Sequence, residues 1–114
     1  MRIQIRARDG PVTGLLRTHV ERRLGFALGR FGERVNQVAV RFSMASDYPD
    51  HAERCHIGVG LRPHGDIQVE DAGTDRFVAV NGAADRASRS VARALARERD
   101  ANGGRSASVG RGRS

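Results

Sequence analysis

A chain of 114 residues has room for one hydrophobic core and not for two, so a single domain is expected. No apolar run approaches the ~20 residues of a membrane span. The N-terminus MRIQIRARDG lacks the apolar block of a secretory leader, and the one cysteine, Cys55, cannot close an internal disulfide, so a cytoplasmic protein is expected. All 20 basic residues are arginine, set against 13 acids for a net charge of +7, which points to a polyanionic partner.

The charge is unevenly placed. Residues 1–44 carry nine Arg against three acids, residues 45–75 two against seven, and residues 76–114 nine against three. A binder of polyanions gains a basic face and an acidic back from such a division. The choice of arginine over lysine is explained by genome base composition as readily as by function.

Residues 1–8 alternate, with Ile3, Ile5 and Ala7 on one side and Arg2, Gln4, Arg6 and Arg8 on the other, which predicts a half-buried strand. Asp9, Gly10 and Pro11 break it, and Thr13 is placed to cap a helix over residues 14–31. In that helix Leu16, Val20, Leu24, Ala27, Leu28 and Phe31 form a core stripe at spacings of three and four. Gly25 and Gly29 weaken it by roughly 1 kcal/mol each relative to Ala. His19, Arg22, Arg23, Phe26 and Arg30 form a flanking stripe with two readings. In one, Phe26 packs on the neighbouring helix and the arginines are merely solvated; in the other, the stripe is a basic and aromatic contact strip for RNA.

Residues 32–34 read as a turn, and VNQVAVRFS alternates as a second strand with Val38, Val40 and Phe42 inward. Residues 44–53 are polar and acidic and contain Pro49, which predicts a surface loop with Tyr48 and His51 as loop residues. Residues 54–61 form a third strand with Cys55, Ile57, Val59 and Leu61 inward. After a turn at Pro63, His64 and Gly65, residues 66–70 form a fourth strand antiparallel to the third, with Ile67 and Val69 inward.

Thr74 or Asp75 then caps a second helix over residues 75–99. Phe77, Val80, Ala84, Ala87, Val91 and Leu95 fall on its apolar side, while Arg86, Arg89, Arg93 and Arg97 fall nearly opposite. The remaining ANGGRSASVGRGRS has almost nothing to bury. This divides the chain into a domain over 1–100 and a disordered Arg/Gly/Ser tail over 101–114, which adds loose electrostatic grip or only solubility.

Strand, helix, three strands and helix, each with one apolar side, predict an α+β fold of order β-α-β-β-β-α, a four-stranded sheet with both helices on one face. The open sheet face would carry Arg2, Arg6, Arg8, Arg41, Arg54 and Arg62 against Asp66 and Glu70, a weaker basic patch than the helices.

Signs of catalysis are scarce. His51, Cys55, His56 and His64 suggest a metal site at first sight, but on a strand Cys55 and His56 point to opposite faces. An inward thiol is more often a small core residue than a nucleophile. Asp66 and Glu70 share a strand face with nothing to drive their chemistry apart, and the glycines form no phosphate-cradling pattern. A non-enzymatic protein with no cofactor, metal or small-molecule substrate is expected.

The opening strand MRIQIRARD, the helix start PVTGLLRTHVERRL, the strand RVNQVAVRF and above all GTDRFVAVNGAADRASRSVAR, taken in this order and spacing, are similar to the ribosome hibernation promoting factor family, which includes the ribosome-associated inhibitor A proteins. The likeness covers residues 1 to about 100. It implies a fold similar to double-stranded RNA-binding domains, and binding to the small ribosomal subunit and its rRNA where mRNA and tRNA would sit, so that idle ribosomes are silenced. Arg23, Arg86, Arg89 and Arg93 fall on the family's basic positions, after its acid at Asp85; Arg22, Arg30 and Arg97 join them from the helical wheel alone. Phe26 stands where a basic residue is common, Asn81 where an acid is usual, and Ala84 and Ala87 where larger apolar residues are common. Without the C-terminal domain of the family's long members, the chain looks like a short form. The alternative is a regulatory protein-interaction module of the same fold, docking through the acidic middle segment or the open sheet face; a small Cys or His enzyme is a distant third.

Overall fold

The computed structural model describes residues 1–44 and 52–111, the last ten of these as backbone only. The elements run β1 (Arg2–Ala7), α1 (Gly14–Leu28), a 3-10 helix (Gly29–Arg34), β2 (Val35–Met44), β3 (Glu53–Leu61), β4 (Asp66–Gly73) and α2 (Arg76–Arg111). The strands lie in the order β1-β2-β3-β4; β1 and β2 are parallel, and the other pairs are antiparallel. The parallel pair needs a crossover, and α1 supplies it.

Alternation decides which face of each strand is buried. Val38, Val40 and Phe42 of β2 and Cys55, Ile57 and Val59 of β3 are fully enclosed, with Ile3, Ile5, Ile67 and Val69 of the two edge strands half-buried beside them. Onto this layer α1 sets Leu16, Val20, Leu24, Ala27 and Leu28, and α2 sets Ala79, Val80, Ala83, Ala84, Ala87 and Val91, forming one core. Both helices therefore cover the same sheet face, the α+β arrangement that the apolar stripes require.

The elements begin and end where local chemistry dictates, with some departures from the sequence reading. Thr13 caps α1, its Oγ1 accepting from the Leu16 amide at 3.2 Å, and Asp75 rather than Thr74 caps α2, accepting from the Val78 amide at 2.9 Å. The α-helix expected over 14–31 stops at Leu28 and tightens into the 3-10 helix, where Gly29 and Gly32 replace helix formers and Gly32 adopts φ 57°. Strand β4 runs on to Gly73 instead of ending at residue 70, which brings Asp71 onto the helix side of the sheet. Met44 and Glu53 are strand ends; residues 45–51 of the expected loop, with Tyr48 and His51, lie outside the described residues. Helix α2 continues past residue 99, the end expected from the sequence, to Arg111.

Phe77 departs most from its expected role. It lies at the margin of the apolar stripe of α2 and is 39% exposed, its ring meeting that of His19 edge-on at 5.0 Å. Alanines 79, 83, 84 and 87 hold the centre of the stripe instead, all fully buried. Small side chains let α2 lie close to the sheet: a Cβ placed on Gly82 would come within 2.1 Å of Asp71 Oδ2.

Candidate nucleic-acid interface

The two helices follow strands that point the same way, so they run parallel, and a polar seam joins them. His19 Nε2 donates to Asn81 Oδ1 at 2.8 Å, Arg23 Nη2 to Asp85 Oδ1 at 2.9 Å and to the Asn81 carbonyl at 3.4 Å, and Arg30 Nη2 to Ser88 Oγ at 3.2 Å. The sequence offsets of 58 to 62 stay nearly constant along the seam, as parallel helices require. Asn81, where an acid is usual, thus accepts through its carboxamide and carries no charge of its own.

The seam sorts the seven predicted arginines into different settings. Arg23 is turned into it, half-buried, with its Nε enclosed and without a hydrogen-bond partner among the described residues. Its charge is spent on Asp85. Arg22 is exposed on α1 and Arg30 on the 3-10 helix that follows it, and Arg86, Arg89, Arg93 and Arg97 are exposed on α2. Arg86 leans away from α1 and meets Asp71 of β4 at 3.5 Å. On the wheel Arg93 and Arg97 share that outer flank, while Arg89 lies nearest the crest above the seam. The structure therefore does not bring all seven together as one ridge.

At the crest, Phe26, Ala27, Arg30, Asp85, Ser88 and Arg89 line a shallow depression of about 340 Å³. Phe26 is 83% exposed, so it does not pack on α2, which overturns the first of its two readings. A solvent-facing aromatic ring that shares a depression with two guanidinium groups can serve a nucleic acid in two ways: the ring offers a stacking platform to an unpaired base and the guanidinium groups hold nearby phosphates. Arg30 also lies over the Phe31 ring, 4.6 Å from its centroid, which restrains its stem beside the depression.

Four acids of the middle segment are placed against neighbouring elements rather than on a separate back. Glu53 pairs with Arg76 at 3.4 Å, Glu70 with Arg54 at 3.7 Å and Asp71 with Arg86, while Asp75 serves as a helix cap. Each is placed against an arginine or a helix end of a neighbouring element. Two structural arginines escaped the sequence reading. Arg76 donates to the carbonyls of Asp9 at 2.7 Å and Pro11 at 3.2 Å and lies over the Phe42 ring; Arg34 holds both carboxylate oxygens of Glu98 and the Arg62 carbonyl. No spacing rule could single them out, because their partners are 23 to 67 residues away in the chain.

Cys55 is buried on the helix side and His56 half-buried on the open side, as strand alternation demands. Among the described residues no three His, Cys, Asp or Glu side chains are grouped to hold a metal ion, and no helix is long and apolar enough to cross a membrane.

Residues 3–99 match the family described as sigma 54 modulation protein / S30EA ribosomal protein. Among solved structures, the N-terminal domain of Thermus thermophilus Protein Y superposes with a TM-score of 0.68 at 28% identity, over 82% of this chain and 98% of that one. A ribosomal subunit interface protein from Coxiella burnetii superposes with a TM-score of 0.73, over 84% of this chain and 99% of that one; at 17% identity it speaks to the fold alone. No curated protein matches the sequence.

Proposed function

The chain belongs to the sigma 54 modulation protein / S30EA ribosomal protein family, and from that premise we propose that it is a ribosome hibernation factor, a non-enzymatic cytoplasmic protein that binds small-subunit rRNA and occludes the mRNA and tRNA channel. The observation that carries this reading is the exposed Phe26, which shares a depression with Arg30 and Arg89 on the crest of two parallel helices. Guanidinium forks contact phosphates without reading sequence, and the ring adds stacking on an unpaired base.

The seven arginines take different roles in this proposal. Arg22, Arg30, Arg89, Arg93 and Arg97 contact phosphate directly. Arg86 does so while sharing its charge with Asp71. Arg23 binds RNA least and fixes the spacing of the two helices through Asp85 and Asn81.

Co-sedimentation with small ribosomal subunits at low and high salt tests the reading. Wild type pellets with the subunit at low salt and is released at high salt. Joint replacement of Arg86, Arg89, Arg93 and Arg97 by Ala abolishes pelleting, and Phe26→Ala weakens it by about 1–3 kcal/mol, the worth of one stacked base. Undiminished pelleting of the quadruple variant would falsify the proposal.

A further inference from the structure

The face of the sheet turned away from the helices holds a second group of basic side chains, which the ribosome-binding proposal does not use. Strand register sets Arg6, Arg41, His56 and Glu70 side by side in one row across all four strands. The next row brings Ser43 beside Arg54, and Arg8 extends β1 past its last paired residue, its amide bonded to the Phe42 carbonyl at 3.0 Å. Arg6, Arg8, Arg41, Ser43, Arg54 and His56 line a concavity of about 630 Å³, with Glu70 as its one acid among the described residues. That volume lies within the usual range of small-molecule sites.

This arrangement works against the fold. Like charges directly opposite each other on neighbouring strands destabilise a sheet, and Arg6 faces Arg41 in register. Arg6 and Arg8 have no ion-pair partner among the described residues, and Arg41 finds only the His56 ring, donating to Nδ1 at 3.3 Å. A bound anion removes that repulsion. Three convergent guanidinium groups and a serine hydroxyl suit the several oxygens of a di- or triphosphate better than a single carboxylate.

A second trough of about 310 Å³ adjoins the first and shares Arg41 and His56 with it. Gly58 and Gly60 line it beneath the side chains of Gln68 and Gln37, neutral amides able to donate and accept. The Gln68 carboxamide lies so close over Gly58 that a Cβ there would stand 3.0 Å from it. One Gln68 N–H is given to Asp66 at 3.0 Å, which leaves the amide oxygen and the other N–H for a ligand. Asp66 closes the far end with a negative charge, which repels any further phosphate. The face thus has one strongly cationic end, one flat neutral end and an acidic stop, and among the described residues the one Phe that lines it, Phe42, is 1% exposed and offers no stacking surface. A continuing nucleic-acid strand fits this poorly; one nucleoside bearing a short phosphate chain fits it well. We propose that the open sheet face binds a nucleoside di- or triphosphate, its phosphates held by Arg6, Arg8 and Arg41 and its base or ribose laid against the Gln37 and Gln68 side chains that cover Gly60 and Gly58.

Equilibrium titration of the purified chain in metal-free buffer, with GTP, ATP, inorganic tripolyphosphate and a short single-stranded RNA as separate ligands, tests the proposal independently of any ribosome. A nucleotide binds saturably, one per chain, more tightly than tripolyphosphate, and raises the melting temperature. Arg41→Gln and Arg6→Gln each weaken binding about tenfold, the worth of one charge-assisted contact, while the free variants melt at or above the wild-type temperature because the repulsion is gone. Arg17→Gln, on the exposed side of α1, leaves nucleotide affinity unchanged. The proposal is overturned if neither nucleotide saturates by about 1 mM, the weak end of specific binding. Equal affinity for tripolyphosphate and nucleotide overturns the nucleoside half, and RNA binding that Arg41→Gln abolishes but nucleotide cannot compete away overturns it in favour of an RNA strand.

Discussion

Cys55 is buried on β3 with Phe42 and Asp71 as its register neighbours on either side. Burial, and secondarily the Asp71 carboxylate, push its thiol from an ordinary value near 9 up to about 12. The folded chain therefore keeps the proton that the unfolded chain loses, and Cys55 is no nucleophile near neutral pH. Because the folded value is raised, this stabilisation is complete below pH 9 and is lost as the pH climbs towards 12, at about 1.4 kcal/mol per pH unit. With no lysine in the chain, few other groups titrate in that window. Urea unfolding between pH 8 and the alkaline limit should show the decline in wild type and a flatter profile in Cys55→Ala; identical slopes would remove the assignment. At the same scale, Asp85 spends its charge on Arg23. Since the Asp85 side chain is largely exposed, Asp85→Asn should cost under about 1 kcal/mol of stability. On the proposed function it should also tighten small-subunit binding by releasing a guanidinium, whereas a loss in the same pelleting assay would make Asp85 itself a contact.

Contacts at the element level are set by how closely α2 approaches the sheet. Gly73 closes β4 just before the helix, and a Cβ there would stand 2.7 Å from Val78 Cγ1 and 2.8 Å from the Ala79 amide nitrogen. The amide belongs to the first turn of α2 and cannot rotate aside, so Gly73→Ala should destabilise by about 1–3 kcal/mol in urea melts. Gly25 is the opposite case. It sits within α1, exposed, with nothing within 4 Å of its Cβ position, so Gly25→Ala should stabilise by up to about 1 kcal/mol through helix propensity alone. If both changes act with the same sign, the close approach at Gly73 is not what limits the site. These glycines also show why the element types were legible in the sequence and their limits were not. Each strand buries one side only, so alternation marked Val38, Val40, Phe42, Cys55, Ile57 and Val59 correctly as inward. The stop at Leu28 depends on Gly29 and Gly32 tightening the chain, and the inward turn of Asp71 on how far β4 stays paired with β3. Both are outcomes of packing that periodicity does not encode.

Viewed as a whole, the molecule presents arginine on both broad faces rather than a basic front and an acidic back. The segregation of charge along the sequence was legible, but its meaning was not. Glu70, Glu53 and Asp71 of the middle segment fold against Arg54, Arg76 and Arg86, so part of a linear charge block becomes ion pairs between elements. The same holds for the candidate interface. The helical wheel found the arginines but could not tell that Arg23 turns into the seam, since its partners lie on the other helix. It also left open whether Phe26 packs inward, a matter decided by the placement of α2. Two basic faces of one chain can be separated by their salt dependence, because each phosphate contact that releases a counterion steepens the fall of affinity with salt by roughly 0.7 to 0.9 on logarithmic axes. Measured against small subunits over a range of salt, Ala replacement of Arg22, Arg30, Arg89 and Arg93 should flatten that slope by about 0.7 to 0.9 per contact removed. Replacement of Arg6 and Arg41 on the far face should leave the slope unchanged, so an equal flattening from either set would mean that the ribosome engages the sheet as well as the helices.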